Sequence, residues 1–215
     1  MVQMTSQTNR TSYEKKEEFW NAVTHGIGVL LGIPGLVLLI LKAADNQSAI
    51  AMTSDIIFGV SMIVMFLAST LYHSIPKYKT VLKKIDHSSI FLLIAGTYTP
   101  VMLLAFGGPI GWAVFAIEWT LASIGIVLKQ FFVYRFKIVS LAVYIGMGWL
   151  IIFISKPLVG LIGMNGFGWL LAGGLFYTIG TYFYKNHKIP YNHAIWHLFV
   201  LAGCACMWSC VYFYI

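Results

Sequence analysis

Residues 192–214 read NHAIWHLFVLAGCACMWSCVYFY, a run without one acid, lysine or arginine and long enough to cross a bilayer. A spanning helix needs about 20 mostly apolar residues, and this run supplies them. At its start stand His193 and His197, four residues apart and so one turn apart on the same helix face, with Cβ atoms about 6 Å from each other. That separation lets two imidazoles close on one metal ion. Titratable rings at the mouth of a lipid-buried helix are costly unless partnered, which makes the pair a functional candidate.

Working outward, the same kind of segment recurs. The chain has 215 residues, 59% hydrophobic and 10% charged, with a mean hydropathy of +0.81. Soluble domains carry about 25% charged residues, so this composition belongs to a multi-pass membrane protein. Spans are expected at about 20–41, 54–74, 86–106, 110–128, 138–155, 167–184 and 192–214, with Pro100 as a kink inside the third. The expected fold is an all-α membrane protein, a seven-helix transmembrane bundle over residues 19–215, preceded by a polar tail over 1–18. No room is left for a soluble domain. The first apolar run is too long for a signal peptide, so no cleavage is expected.

Seven spans place the loops alternately on two sides. Twelve of the 14 lysines and arginines fall on the side of the N-terminus, and only Lys42 and Lys156 on the other. By the positive-inside rule the N-terminus is cytoplasmic and the C-terminus extracellular. The net charge of +7 is therefore read as a topology signal, and nucleic-acid binding is not expected. Cys204, Cys206 and Cys210 all lie in the last span and read as small core residues, not as a disulfide framework.

On this topology the polar residues sort by depth. Asn21 and His25 open the first span, Ser69 and His73 close the second, and Asp86 and His87 open the third. His193 and His197 open the seventh. Five of the six histidines thus lie within a few turns of one membrane surface. Neutral imidazoles bind zinc at about 2.0–2.1 Å, and a catalytic zinc site takes three protein ligands and keeps one position open. His73, His193 and His197 are the expected ligands, and zinc the expected cofactor. Asp86 is placed to hold or deprotonate an attacking water, and Ser69, one turn deeper than His73, to orient it or donate to an oxyanion. Asn21 and His25 are expected to support the ligands. Each has a plainer alternative. Asp86 fits an N-cap of the third span, and Ser69 a hydroxyl bonded to its own backbone. His87 points about 100° away from Asp86 and is set aside, His187 reads as a solvated loop residue, and Glu118 is an unexplained carboxyl in mid-span.

The segments Glu18-x-x-Asn21-x-x-x-His25-Gly26, Ser69-Thr70-Leu71-Tyr72-His73, Asp86-His87-Ser88-Ser89-Ile90, Ala95-Gly96-Thr97-Tyr98-Thr99-Pro100 and His193-x-x-x-His197 follow in order. Together they resemble the bacterial hemolysin III branch of the progestin and adipoQ receptor family, from about Glu17 onward. The resemblance implies a seven-helix bundle with an intracellular N-terminus in a bacterial cell membrane. It also implies a zinc held by His73, His193 and His197 with Asp86 near the attacking water. That family is related to alkaline ceramidases, which hydrolyse a lipid amide, and its bacterial branch is linked to membrane lipid homeostasis. The long N-terminal extension of the eukaryotic receptors has no counterpart here, so receptor function is not expected.

Three functions follow as expectations. The first is an intramembrane zinc hydrolase acting on an amide or ester of a membrane lipid, its partner being that lipid. The second is a non-catalytic sensor or regulator of membrane lipid state, in which zinc is structural and His25 or His87 closes the fourth position. The third is a pore-forming cytolysin, disfavoured because no helix carries a polar face to line a channel. The oligomeric state is not legible.

Overall fold

Hydrocarbon offers no partners for backbone N–H and C=O groups, so apolar spans satisfy them internally as helix. The computed structural model obeys this throughout; it describes the backbone of residues 2–45 and 47–215, and side chains from residue 13 onward except 46 and 137. The helices are α1 (Val2–Asp45), α2 (Ala49–Ser74), α3 (Lys79–Pro100), α4 (Gly108–Phe132), α5 (Lys137–Trp149), α6 (Ser155–Lys185) and α7 (Asn192–Tyr214). Among the described residues, six helical stretches are long and apolar enough to cross a membrane. Large apolar side chains such as Leu30, Phe131 and Phe153 stand on the outside, as lipid-facing residues do.

The fifth of these stretches runs over Ile138–Lys185 and is 48 residues long. As one straight helix it would measure about 72 Å, far beyond the roughly 30 Å of a hydrocarbon core. It is not straight. Gly163 has φ 71° and ψ 170°, a conformation that an L side chain rarely adopts. Trp149 Nε1 donates to Thr178 Oγ1 at 2.9 Å across this break. The two lie 14 residues before and 15 after Gly163, so the chain doubles back there and the two arms run antiparallel. Most of the stretch expected as loop between 155 and 167 is therefore helical, with the reversal concentrated in one glycine.

Helix α1 packs against α2 and α7, α2 against α3, and α6 against α7. Close approach is made by small residues, as is usual between membrane helices. A Cβ on Gly96 of α3 would run into Ser61 of α2, and one on Gly203 of α7 into the Tyr177 ring of α6. The distortion expected at Pro100 falls just after it, as a π-helical turn over Val101–Phe106 that ends at Gly107 with φ 62°. Proline has no N–H to continue the ladder, which permits such a change of pitch.

Two boundaries matter for function. Helix α3 begins at Lys79, nearly two turns before Asp86, so Asp86 lies inside the helix and does not cap it. Helix α1 carries the polar residues before the first apolar run in the same helix, and Tyr13 and Glu18 reach from it to other helices. The Tyr13 hydroxyl accepts from Tyr191 N at 2.9 Å, at the entry to α7. Tyr191 itself holds φ 55°, the left-handed turn that follows Pro190 and aims α7 into the bundle.

Candidate metal centre

The last turn of α2 brings His73 against the first two turns of α7. His73, His193 and His197 each offer a ring nitrogen, and the three atoms lie within 4.8 Å of one another. A tetrahedral zinc site asks for about 3.4 Å between ligand nitrogens, and the three atoms stand near that spacing. These three histidines could hold a metal ion.

Their hydrogen bonds decide whether the lone pairs are available. His73 Nδ1 meets Glu18 Oε2 at 2.8 Å, and Lys79 Nζ donates to the same oxygen at 2.7 Å. A carboxylate with a lysine on it is an acceptor, so Nδ1 carries the proton and Nε2 the lone pair. His197 Nδ1 meets the Asn21 carbonyl at 3.0 Å and Thr24 Oγ1 at 3.1 Å. A carbonyl only accepts, and the Thr24 hydroxyl has its one proton directed back to the helix, within reach of Trp20 O and Asn21 O. His197 therefore also presents Nε2 as the lone pair. Both Nε2 atoms are buried and have no hydrogen-bond partner among the described residues. Histidines held by Nδ1 with a bare Nε2 are what metal ligation requires.

The supporting residues differ in part from expectation. Asn21 acts through its backbone carbonyl, with its side-chain Oδ1 buried and unpartnered. His25 is buried and lies parallel to His197, ring centroids 3.6 Å apart and planes at 13°. Lone pairs lie in the ring plane, so two stacked rings point theirs side by side and not toward one ion. Sequence reasoning missed Glu18 and Thr24 as supports. Glu18, Asn21 and His25 recur at three and four residues, one face of α1, and that spacing was the signal for Glu18.

Asp86 and Ser69 are neighbours, the Ser69 side chain lying beside the Asp86 carboxyl. Asp86, His25 and His193 line one cavity of about 160 Å³, and so does His87, which its direction along α3 had set aside. Away from the histidines the cavity is walled by Leu93, Ile94, Ile145, Trp149, Val200 and Met207. It is thus polar where α3 and α7 begin and apolar deeper between α3, α5, α6 and α7. Glu118 is not at this centre. It is fully buried in α4 with neither carboxyl oxygen hydrogen-bonded among the described residues.

The profile described as "Haemolysin-III related" matches residues 13–208, which include all the residues above. The chain belongs to this family. It is similar to Hemolysin-3 of Bacillus cereus, 50% identical over 99% of this chain and 98% of that one. It is also similar to the Hemolysin-3 homolog of Bacillus subtilis (strain 168), 54% identical over 93% of this chain and 94% of that one. A more distant relative is the human monocyte to macrophage differentiation factor, 29% identical over 91% of this chain and 83% of its own length. This haemolysin-III type chain is a multi-pass membrane protein, as the resemblance implied.

Proposed function

We propose that His73, His193 and His197 hold a zinc ion and that the protein is a metal-dependent hydrolase acting on an amide or ester of a membrane lipid. The observation that carries this is a group of three imidazoles close enough to share one ion, one of which, His193, lines an apolar cavity that has a carboxyl, Asp86, in its wall. When bound, zinc polarises a carbonyl and acidifies water. The chain's own residues do the rest. The apolar wall from Leu93 to Met207 takes the acyl chain and excludes water from it. Asp86 accepts a proton from the attacking water, and Ser69, beside Asp86, fixes which oxygen faces that water. Glu18 and the Asn21 carbonyl hold His73 and His197 in the tautomers that bind metal. The stacked ring of His25 leaves the fourth position open, which supports catalysis over a structural site.

The doubling back at Gly163 supports counting Ile138–Lys185 as two spans, for seven in all, with the N-terminus cytoplasmic and the C-terminus outside a bacterial plasma membrane. The centre then lies near the cytoplasmic surface, open to water from the cytosol and to a chain from the bilayer.

The test is zinc content and lipid-amide turnover measured on one detergent-purified sample. About one zinc per chain is expected, with turnover lost on chelation and restored by zinc. Full zinc occupancy without turnover of any lipid amide or ester would leave the regulator reading in its place.

A further inference from the structure

Lysines at the end of a membrane helix normally run their ammonium out to the surface water. Lys129, in the last turn of α4, does the reverse. Its side chain turns inward across the α4–α5 connection and donates to Ser140 Oγ at 2.7 Å, leaving the residue only 4% exposed. Lys129 and Ser140 both line the cavity that ends at His193. A buried ammonium calls for an anion, and among the described residues no carboxylate forms an ion pair with Lys129. Asp86, in the same cavity wall, has Ser69 beside it and forms no ion pair with Lys129 among the described residues. Besides Ser140, Lys129 Nζ has the Tyr144 ring as a neighbour, its centroid 5.9 Å away, and an aromatic face carries no full negative charge. A helix lysine spared from the surface, with a hydroxyl beside it and apolar walls leading away, is built like the head end of an amphiphile site.

We propose that Lys129 and Ser140 seat the anionic head of a single-chain lipid, a carboxylate or phosphate, whose chain lies along Ile94, Trp149 and Met207. This rests on the reading of the cavity as the lipid site and narrows it: the substrate or product is an acidic amphiphile and not a neutral one. The ammonium contributes a charge-assisted hydrogen bond to one head oxygen, and the Ser140 hydroxyl, while accepting from Lys129, donates to another. The metal histidines take no part in this seat.

The experiment measures binding of four C16 probes to zinc-loaded, detergent-purified full-length protein by native mass spectrometry: palmitate, hexadecyl phosphate, palmitamide and hexadecanol. Palmitate or hexadecyl phosphate should bind about 10-fold or more tightly than the two neutral probes. Which acid binds more tightly distinguishes a carboxylate from a phosphate head. Lys129→Met, of similar length and without charge, should bring acidic and neutral probes within about 3-fold of each other while zinc content and thermal unfolding stay as in the wild type. Ser140→Ala should weaken only the acidic probes, about 3-fold to 10-fold. The preference should survive in His73→Ala, which separates a Lys129 seat from an acid bound to zinc. Equal wild-type affinity for palmitate and palmitamide overturns the anion seat and leaves the lipid cavity standing; binding of none of the four overturns both. A preference kept in Lys129→Met but lost in His73→Ala also overturns the proposal. Inorganic phosphate binding as tightly as hexadecyl phosphate would overturn the amphiphile.

Discussion

Both ends of this bundle hold polar side chains between helices, and they do so in opposite ways. At the end away from the histidines, Lys42 Nζ donates to the carbonyls of Val211 and Tyr212 at 2.9 and 2.7 Å. It thereby caps the C-terminal carbonyls of α7, where a cation is favoured by the helix dipole. At the histidine end, Glu18, Asn21 and Thr24 satisfy one nitrogen each of His73 and His197 and leave the other bare. The first arrangement is closed and stabilises a helix terminus. The second is closed on one side only and directs lone pairs to a common point. A polar group whose partners are made holds a fold; imidazoles held on one nitrogen with the other left bare are prepared for a ligand.

Six substitutions, at four kinds of position, can break or sharpen this contrast. The largest effect is expected from removing a histidine. His73→Ala, His193→Ala and His197→Ala should each lower zinc from about one per chain to near zero by elemental analysis, since two imidazoles do not make a stable site. Full zinc in His73→Ala would mean that His25 or His87 supplies the third nitrogen. Next comes Asp86→Asn, which keeps the shape and the three ligands. Zinc should be retained while lipid-amide turnover falls about 10²–10⁴-fold, because an amide cannot accept the proton. Zinc lost from this variant would make Asp86 a ligand and close the open position.

A smaller effect belongs to the support. Glu18→Gln removes the acceptor that holds His73 Nδ1–H, and zinc affinity by competition with a chromophoric chelator should fall about 10- to 100-fold. An unchanged affinity would reduce Glu18 to a surface partner of Lys79. The smallest belongs to the closed end. Lys42→Met should leave zinc content and turnover alone and lower stability by about 1 kcal/mol in a denaturation series. Zinc loss there would mean that the two ends are coupled through α7 and that the contrast fails.

How far each part was legible follows from the range of the forces involved. The helices could be read one segment at a time, because in lipid a run such as 192–214 has no way to satisfy its backbone except as helix. The i, i+4 spacing of His193 and His197, and of Ser69 and His73, is a property of a single helix and needed no tertiary information. The depth sorting of His25, His73 and Asp86 followed from where each apolar run starts or stops.

What the tertiary structure alone decided concerns rotation of one helix about its axis relative to the next, and boundaries set by packing in place of composition. The start of α3 at Lys79 put Asp86 against Ser69 and removed it as a cap, since amphipathic turns at a membrane surface carry no hydropathy signal of their own. The doubling back at Gly163 hid within an unbroken apolar stretch, where composition is the same on both sides of the turn. Glu18 looked like one charge among several until α1 was packed on α2 and its carboxylate met His73. Lys129 counted as one more cytoplasmic cation. Only the fold of α5 against α4 turned it inward to Ser140, because the direction of a long flexible side chain is set by the neighbours it meets and not by its place in the chain.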